Sequence, residues 1–197
     1  MPTSRIDSPS DALRQSMPER PGFRSFKTAV PIAYPSRWHR DLLIQATLDP
    51  AIEAIEPGPA ARFDPEIFQF FIQMAGVRQP LVAIRHADNL DGRVAGSGLV
   101  KSRAHTLSEP RCTAARIVWA ARKIQVSAGD RIRILKVFDE AKASVPFANA
   151  IDAAVGHAVN PAEAVLALVC EGQLEIDVSQ PISPETLLRR RRSIWTR

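Results

Sequence analysis

Apolar residues recur along this chain at two periods, and the changes from one period to the other divide it into elements. Trp38, Leu42, Leu43 and Ala46 share one helical face, which predicts an α-helix over 37–48 with Ser36 as N-cap and Asp49-Pro50 as its stop. A short strand over 52–55 follows, and Glu56-Pro57-Gly58-Pro59 breaks regular structure. Two apolar runs, 67–74 and 81–85, read as strands joined through a loose turn at 75–80. The Asp, Asn and Gly content of 87–98 predicts a loop. Beyond it Cys112, Ala115 and Trp119 fall at helical spacing, with Arg111, Arg116, Arg122 and Lys123 on the other faces.

Periodicity is clearest in the last third. A helix over 131–144 carries Ile134, Val137, Phe138 and Ala141 on one side, and a second after Pro146 carries Phe147, Ile151, Ala154, Val155 and Ala158. The third has Asn160 as cap, Pro161 at its first position and Glu163 in the capping-box place, with Ala162, Val165, Leu166 and Val169 facing inward and Gly172 as its stop. Leu174, Ile176 and Val178 then alternate with polar residues as in a half-buried strand, and Pro181 to Pro184 turn the chain back. Three helices and a wing predict a winged-helix-like module over 128–188. The stretch from Ala162 to Cys170 has no Lys or Arg, and 134–188 sets two lysines against eight acids, so this module is expected to pack on protein rather than read DNA. The first twenty-eight residues, with Pro2, Pro9, Pro18 and Pro21, predict a mobile arm. The expected organisation is therefore an arm at 1–28, an α+β domain at 29–125, the module at 128–188 and a basic tail at 189–197.

With 45% hydrophobic and 24% charged residues the chain has the composition of a globular protein. It lacks an apolar run of the roughly 18 to 20 residues that cross a bilayer, and its start does not resemble a signal peptide, so a cytoplasmic location with no membrane partner is expected. Cys112 and Cys170 are too few for a disulfide framework and read as buried thiols. The net charge of +5 is concentrated: Arg189, Arg190, Arg191, Arg192 and Arg197 equal it alone, and 101–133 sets eight Lys and Arg against Glu109 and Asp130. These clusters predict contact with DNA phosphates through Arg111, Arg116, Arg122, Lys123 and Arg189 to Arg192.

The four histidines, His39, His86, His105 and His157, have no paired metal-binding spacing, and the glycine motifs of nucleotide hydrolysis and acyl transfer are missing. The chemistry that remains is a metal-dependent nuclease site of the restriction-enzyme type. Such a site needs a helical Glu, a strand Asp and a Glu-x-Lys or Gln-x-Lys on the next strand, because hard Mg²⁺ prefers carboxylate oxygen and a Lys steadies the attacking water. The helix and hairpin of 36–85 have this layout.

The run from Ser36-Arg37-Trp38-His39-Arg40-Asp41-Leu42-Leu43 through Leu48-Asp49-Pro50 to Glu56-Pro57-Gly58-Pro59 resembles the start of the TnsA-type endonuclease subunits of heteromeric transposases. Ile117-Val118-Trp119, Asp130-Arg131-Ile132-Arg133-Ile134-Leu135 and Gly172-Gln173-Leu174-Glu175-Ile176-Asp177 are similar to their accessory helical module. The resemblance spans about 35–190. It implies a restriction-endonuclease-like mixed sheet, DNA as partner with transposase or recombination proteins beside it, and Mg²⁺ as cofactor if the site is active. It also assigns the catalytic positions to His39, Glu66, Ala83 and Arg85, with Glu66 as metal ligand. His39 stands for the helical Glu, Glu66 for the strand Asp, Ala83 for the acid or amide and Arg85 for the Lys, and Asp41 or Asp64 could assist. One carboxylate in place of two or more implies a degenerate, DNA- and partner-binding nuclease relative. An active Mg²⁺-dependent endonuclease with a variant site, or a DNA-binding regulator without catalytic ancestry, are the alternatives.

Overall fold

The computed structural model describes residues 22–58, 67–86, 98–154 and 160–191. The chain is α+β. Helix α1 (Arg37–Leu48) leads into a four-stranded mixed sheet of β1 (Ile52–Pro57), β2 (Ile67–Met74), β3 (Val77–Ile84) and β4 (Leu99–Ser102), in that order. Strand β2 runs antiparallel to both β1 and β3, and β4 runs parallel to β3. Then come α2 (Arg103–Thr106), α3 (Arg111–Ala120), a 3₁₀ turn (Ala121–Lys123) and α4 (Ala128–Ala141). The chain closes with β5 (Val145–Pro146), α5 (Phe147–Asp152), α6 (Pro161–Cys170), β6 (Leu174–Ile176) and β7 (Leu187–Arg190). These last strands form a second, antiparallel sheet in the order β5-β7-β6.

The hairpin is tighter than its sequence suggests. Ala75 and Gly76 alone make the turn, both with positive φ, 49° and 75°, so β3 begins at Val77 and the whole of 67–84 is paired. Pro80 interrupts the strand pattern yet is tolerated, because β4 begins to pair only at Leu81. Strand β4 lies just past the predicted loop of 87–98, most of which is outside the described residues, in a stretch to which the sequence assigns no element; its four residues are too short to show a period.

In the C-terminal half three helices and the strand at 174–176 appear with shifted edges; α5 ends at Asp152, and Val155 and Ala158, expected on its face, lie outside the described residues. Helix α4 starts three residues earlier than 131, where Ser127 accepts a hydrogen bond from the Asp130 N–H at 3.1 Å and caps it. Helix α6 is capped as expected, Asn160 Oδ1 accepting from the Ala162 N–H at 3.1 Å. All seven residues from Ala164 to Cys170 are buried, however, and not one face alone. The basic tail also needs correction. Arg189 and Arg190 belong to β7, paired with Glu175 and Leu174 of β6, while Arg192 lies outside the described residues.

Two corrections concern domain organisation. Residues 22–28 are not a mobile arm: Phe23 exchanges backbone hydrogen bonds with Ile32 at 2.8 and 2.9 Å and stacks on Trp119 with ring centroids 5.2 Å apart. Lys27, buried, donates to the Asp49 carbonyl at 2.5 Å, and a Cβ at Gly172 would stand 2.5 Å from the Phe26 ring. The rest of the expected arm, residues 1–21, lies outside the described residues. Nor do 29–125 and 128–188 have separate cores. One apolar cluster runs from Phe23 through α1, the sheet and α3 to α6 and Leu188, and Cys170 Sγ donates to the Val118 carbonyl at 3.1 Å.

A shared core implies shared unfolding. Leu168→Ala, at a fully buried position of α6, is expected to cost about 2 to 5 kcal/mol. It should also lower amide-exchange protection in β2 and β3 together with that in α6; an effect confined to 128–188 would show two independent units.

Candidate functional site

His39 sits in the first turn of α1, three residues after Ser36, where a capping box would carry an acid. The Ser36 carbonyl accepts from the Arg40 N–H at 3.3 Å, but its side chain caps no backbone N–H; the hydroxyl instead meets His39 Nδ1 at 2.9 Å. The imidazole is completely buried between Trp38, 3.7 Å away by ring centroids, and the edge of Phe68, at 5.0 Å. Phe68 is paired with Ala83 across the β2–β3 ladder, so His39 lies at the end of the sheet where Ala83 stands. Arg85 follows β3 directly and is exposed. Glu66 and Asp64 lie outside the described residues.

The His39 Nε2 atom is buried without a hydrogen-bond partner. Burial disfavours the imidazolium and pushes the pKa down to about 4. The described part of these surroundings offers little to a hard divalent cation. His39 offers one nitrogen inside an aromatic box, Ala83 offers a methyl group and Arg85 carries a positive charge. No group of three His, Cys, Asp or Glu residues able to hold a metal forms among the described residues. Asp41 cannot assist either, because both of its oxygens are engaged elsewhere.

Asp41 is buried on the α3 side of α1, and Arg116 grips it with a fork. Arg116 Nε donates to Oδ1 at 3.1 Å and Nη2 donates to Oδ2 at 2.6 Å. The hydrogen bonding raises the Arg116 pKa further and joins α1 to α3. Its charge is therefore largely matched within the fold. Arg111 is 3.8 Å from Asp49 and lines a groove of about 600 Å³ that also holds Glu175, Asp177 and Arg189. Arg122 donates to the Trp119 carbonyl at 3.1 Å, and Lys123 is exposed in the 3₁₀ turn, so neither lies on a face of α3 as expected. Arg190 pairs with Asp139 at 3.5 Å, and Arg191 lies 4.7 Å above the Phe26 ring. Much of the basic charge that stands out in the sequence is thus interleaved with acids or packed on rings.

A different grouping emerges between α1 and α3. Arg37, Arg40, Asp41 and Ile44 form one stripe on α1, opposite Arg116, Trp119, Ala120 and Arg122, around a groove of about 410 Å³. Sequence reasoning misses Arg37 and Arg40 because they lie some sixty residues before the basic stretch at 101–133. Their spacing of i, i+3 with Asp41 and Ile44 is the signal that points to them. The chain matches no family model, no curated protein and no solved structure.

Two outcomes follow from this geometry. A native pKa near 4 against 6.5 for the free imidazole means that between these values the unfolded chain binds a proton that the folded one refuses. The contribution is complete above pH 6.5 and is lost as pH falls toward 4, by about 2 to 3 kcal/mol, and His39→Leu should flatten that part of the stability profile. Arg116→Gln leaves the buried Asp41 carboxylate without its cation and should cost about 1 to 3 kcal/mol in urea unfolding. A cost under half of that would show that water replaces the guanidinium.

Proposed function

We propose that this chain is a DNA-binding protein of a transposition or recombination machinery, built on a restriction-endonuclease-like scaffold similar to TnsA-type subunits, with a degenerate cleavage centre. The observation that carries this reading is the arrangement around His39. A helix enters three antiparallel strands followed by a parallel fourth, and its first turn lies over the sheet end bearing Ala83. That is the layout in which such a fold assembles its metal ligands, and in this chain the positions carry His39, Glu66, Ala83 and Arg85, one carboxylate in place of two or more. Arg85 retains a positive charge that can contact phosphate, but a planar guanidinium is a poor replacement for a compact ammonium beside an attacking water.

The second half supports a winged-helix reading. One strand precedes the second of its three helices, two follow the third, and they pair in the order β5-β7-β6. Its third helix, α6, is buried against α3 rather than offered to a groove of DNA. In this reading the module binds protein, beginning with the chain's own first half, and leaves outer surfaces for a transposase or recombination partner.

Purified protein should bind duplex DNA with strong salt dependence and leave supercoiled plasmid intact in Mg²⁺ or Mn²⁺. Robust metal-dependent cleavage, abolished by Glu66→Ala, would replace the degenerate reading with an active endonuclease. Failure to bind duplex DNA at low salt would remove DNA from the reading.

A further inference from the structure

We infer that the groove between α1 and α3 is the track for the phosphate backbone of duplex DNA, with Arg37 and Arg40 as its principal contacts and Arg122 on the opposite wall. This inference rests on the DNA-binding reading above and assigns it to a surface distinct from the C-terminal arginines. The groove holds four arginines, Arg37, Arg40, Arg116 and Arg122, and a single carboxylate, Asp41. That carboxylate is already held on both oxygens by Arg116. Arg37 is exposed and Arg40 half-buried, and neither forms an ion pair among the described residues. Among the described residues Arg122 binds a carbonyl and no acid.

The contrast with the ion-paired arginines favours this surface. Arg78 pairs with Glu56, Arg131 with Glu171, Arg133 with Asp130 and Arg190 with Asp139, while Arg189 stands opposite Glu175 in the ladder. A polyanion laid on those groups would first have to displace or repel a carboxylate. In the α1–α3 groove the positive charge exceeds the negative and its compensation has to come from outside. Arg37 and Arg40 are three residues apart, about 4.5 Å along the helix axis, so two long side chains reach one phosphate or two neighbours on a strand. The Asp41–Arg116 fork has a positioning role, fixing α1 against α3 and so setting the width of the track. The walls expose little apolar surface for a peptide or an uncharged ligand, since Ile44 and Trp119 are buried.

Fluorescence anisotropy with a fluorescein-labelled 20-base-pair duplex, titrated from low to moderate salt, tests the assignment. Each phosphate that is no longer neutralised takes about one unit from the slope of log affinity against log salt, so Arg37→Gln/Arg40→Gln should lower the slope by about 2. Arg189→Gln/Arg190→Gln should change it by less than about half a unit, because those charges already face acids. Both pairs lie at the surface, and thermal midpoints within about 2 °C of the unsubstituted protein are expected to confirm intact folding. Equal slopes for the unsubstituted protein and the Arg37/Arg40 variant, with DNA still bound, would overturn the groove and leave the DNA-binding reading standing. A large fall in slope from the Arg189/Arg190 pair alone would move the track to the C-terminal sheet and overturn it as well. Absence of duplex binding by the unsubstituted protein would overturn both the groove and the reading on which it rests.

Discussion

Nothing between Ala164 and Cys170 can usefully face water, and the rest of the fold is arranged around that constraint. A helix that is apolar on every side must be covered on every side. Helix α3 and the 3₁₀ turn cover one flank of α6, while α4, α5 and β6 cover the others, so residues from both halves of the chain share its burial. The segment at 22–32 secures the same junction from outside. Phe23 reaches Trp119 of α3, Phe26 covers Gly172 just past α6, and Lys27 ties to the end of α1. Gly172 has φ near +75° and no room for a Cβ, which explains glycine at that stop on two separate grounds.

Helix α1 divides its labour between two sides. One presents His39 to the sheet in a dry aromatic setting, and the other presents Asp41 to Arg116 and leaves Arg37 and Arg40 outward. In the reading proposed above, a single turn thus carries both a former catalytic position and a concentrated positive surface. The two do not compete electrostatically, because burial keeps His39 neutral at ordinary pH.

Elements with strong local signals are legible in the sequence alone. The α1 boundaries, the Asn160-Pro161 start of α6, the alternation in β6 and the runs behind β2 and β3 each have a period or a punctuation residue of their own. What cannot be read there depends on tertiary partners. Strand β4 exists because β3 offers it an edge; Ala75 adopts positive φ because the paired strands require a two-residue turn; Phe23 and Phe26 are ordered by Trp119 and Gly172. The basic residues show the same limit. Sequence counts charge, but only the fold reveals that Arg190 faces Asp139 whereas Arg37 faces solvent. Contiguous runs of arginine therefore promise more free charge than they deliver, and two arginines on a helix promise less.

The position of α6 in the core also bears on how the chain is made. Trp119 and Val118 leave the ribosome about fifty residues ahead of Cys170, a delay of roughly 3 to 10 s at about 5 to 20 residues per second. Throughout that interval the nascent first half carries an apolar face whose cover has not yet been translated. A chaperone that shields α3 during synthesis, or a messenger without slow codons between these points, would suit such a fold; a stalled ribosome in the interval would leave a sticky fragment rather than a working domain.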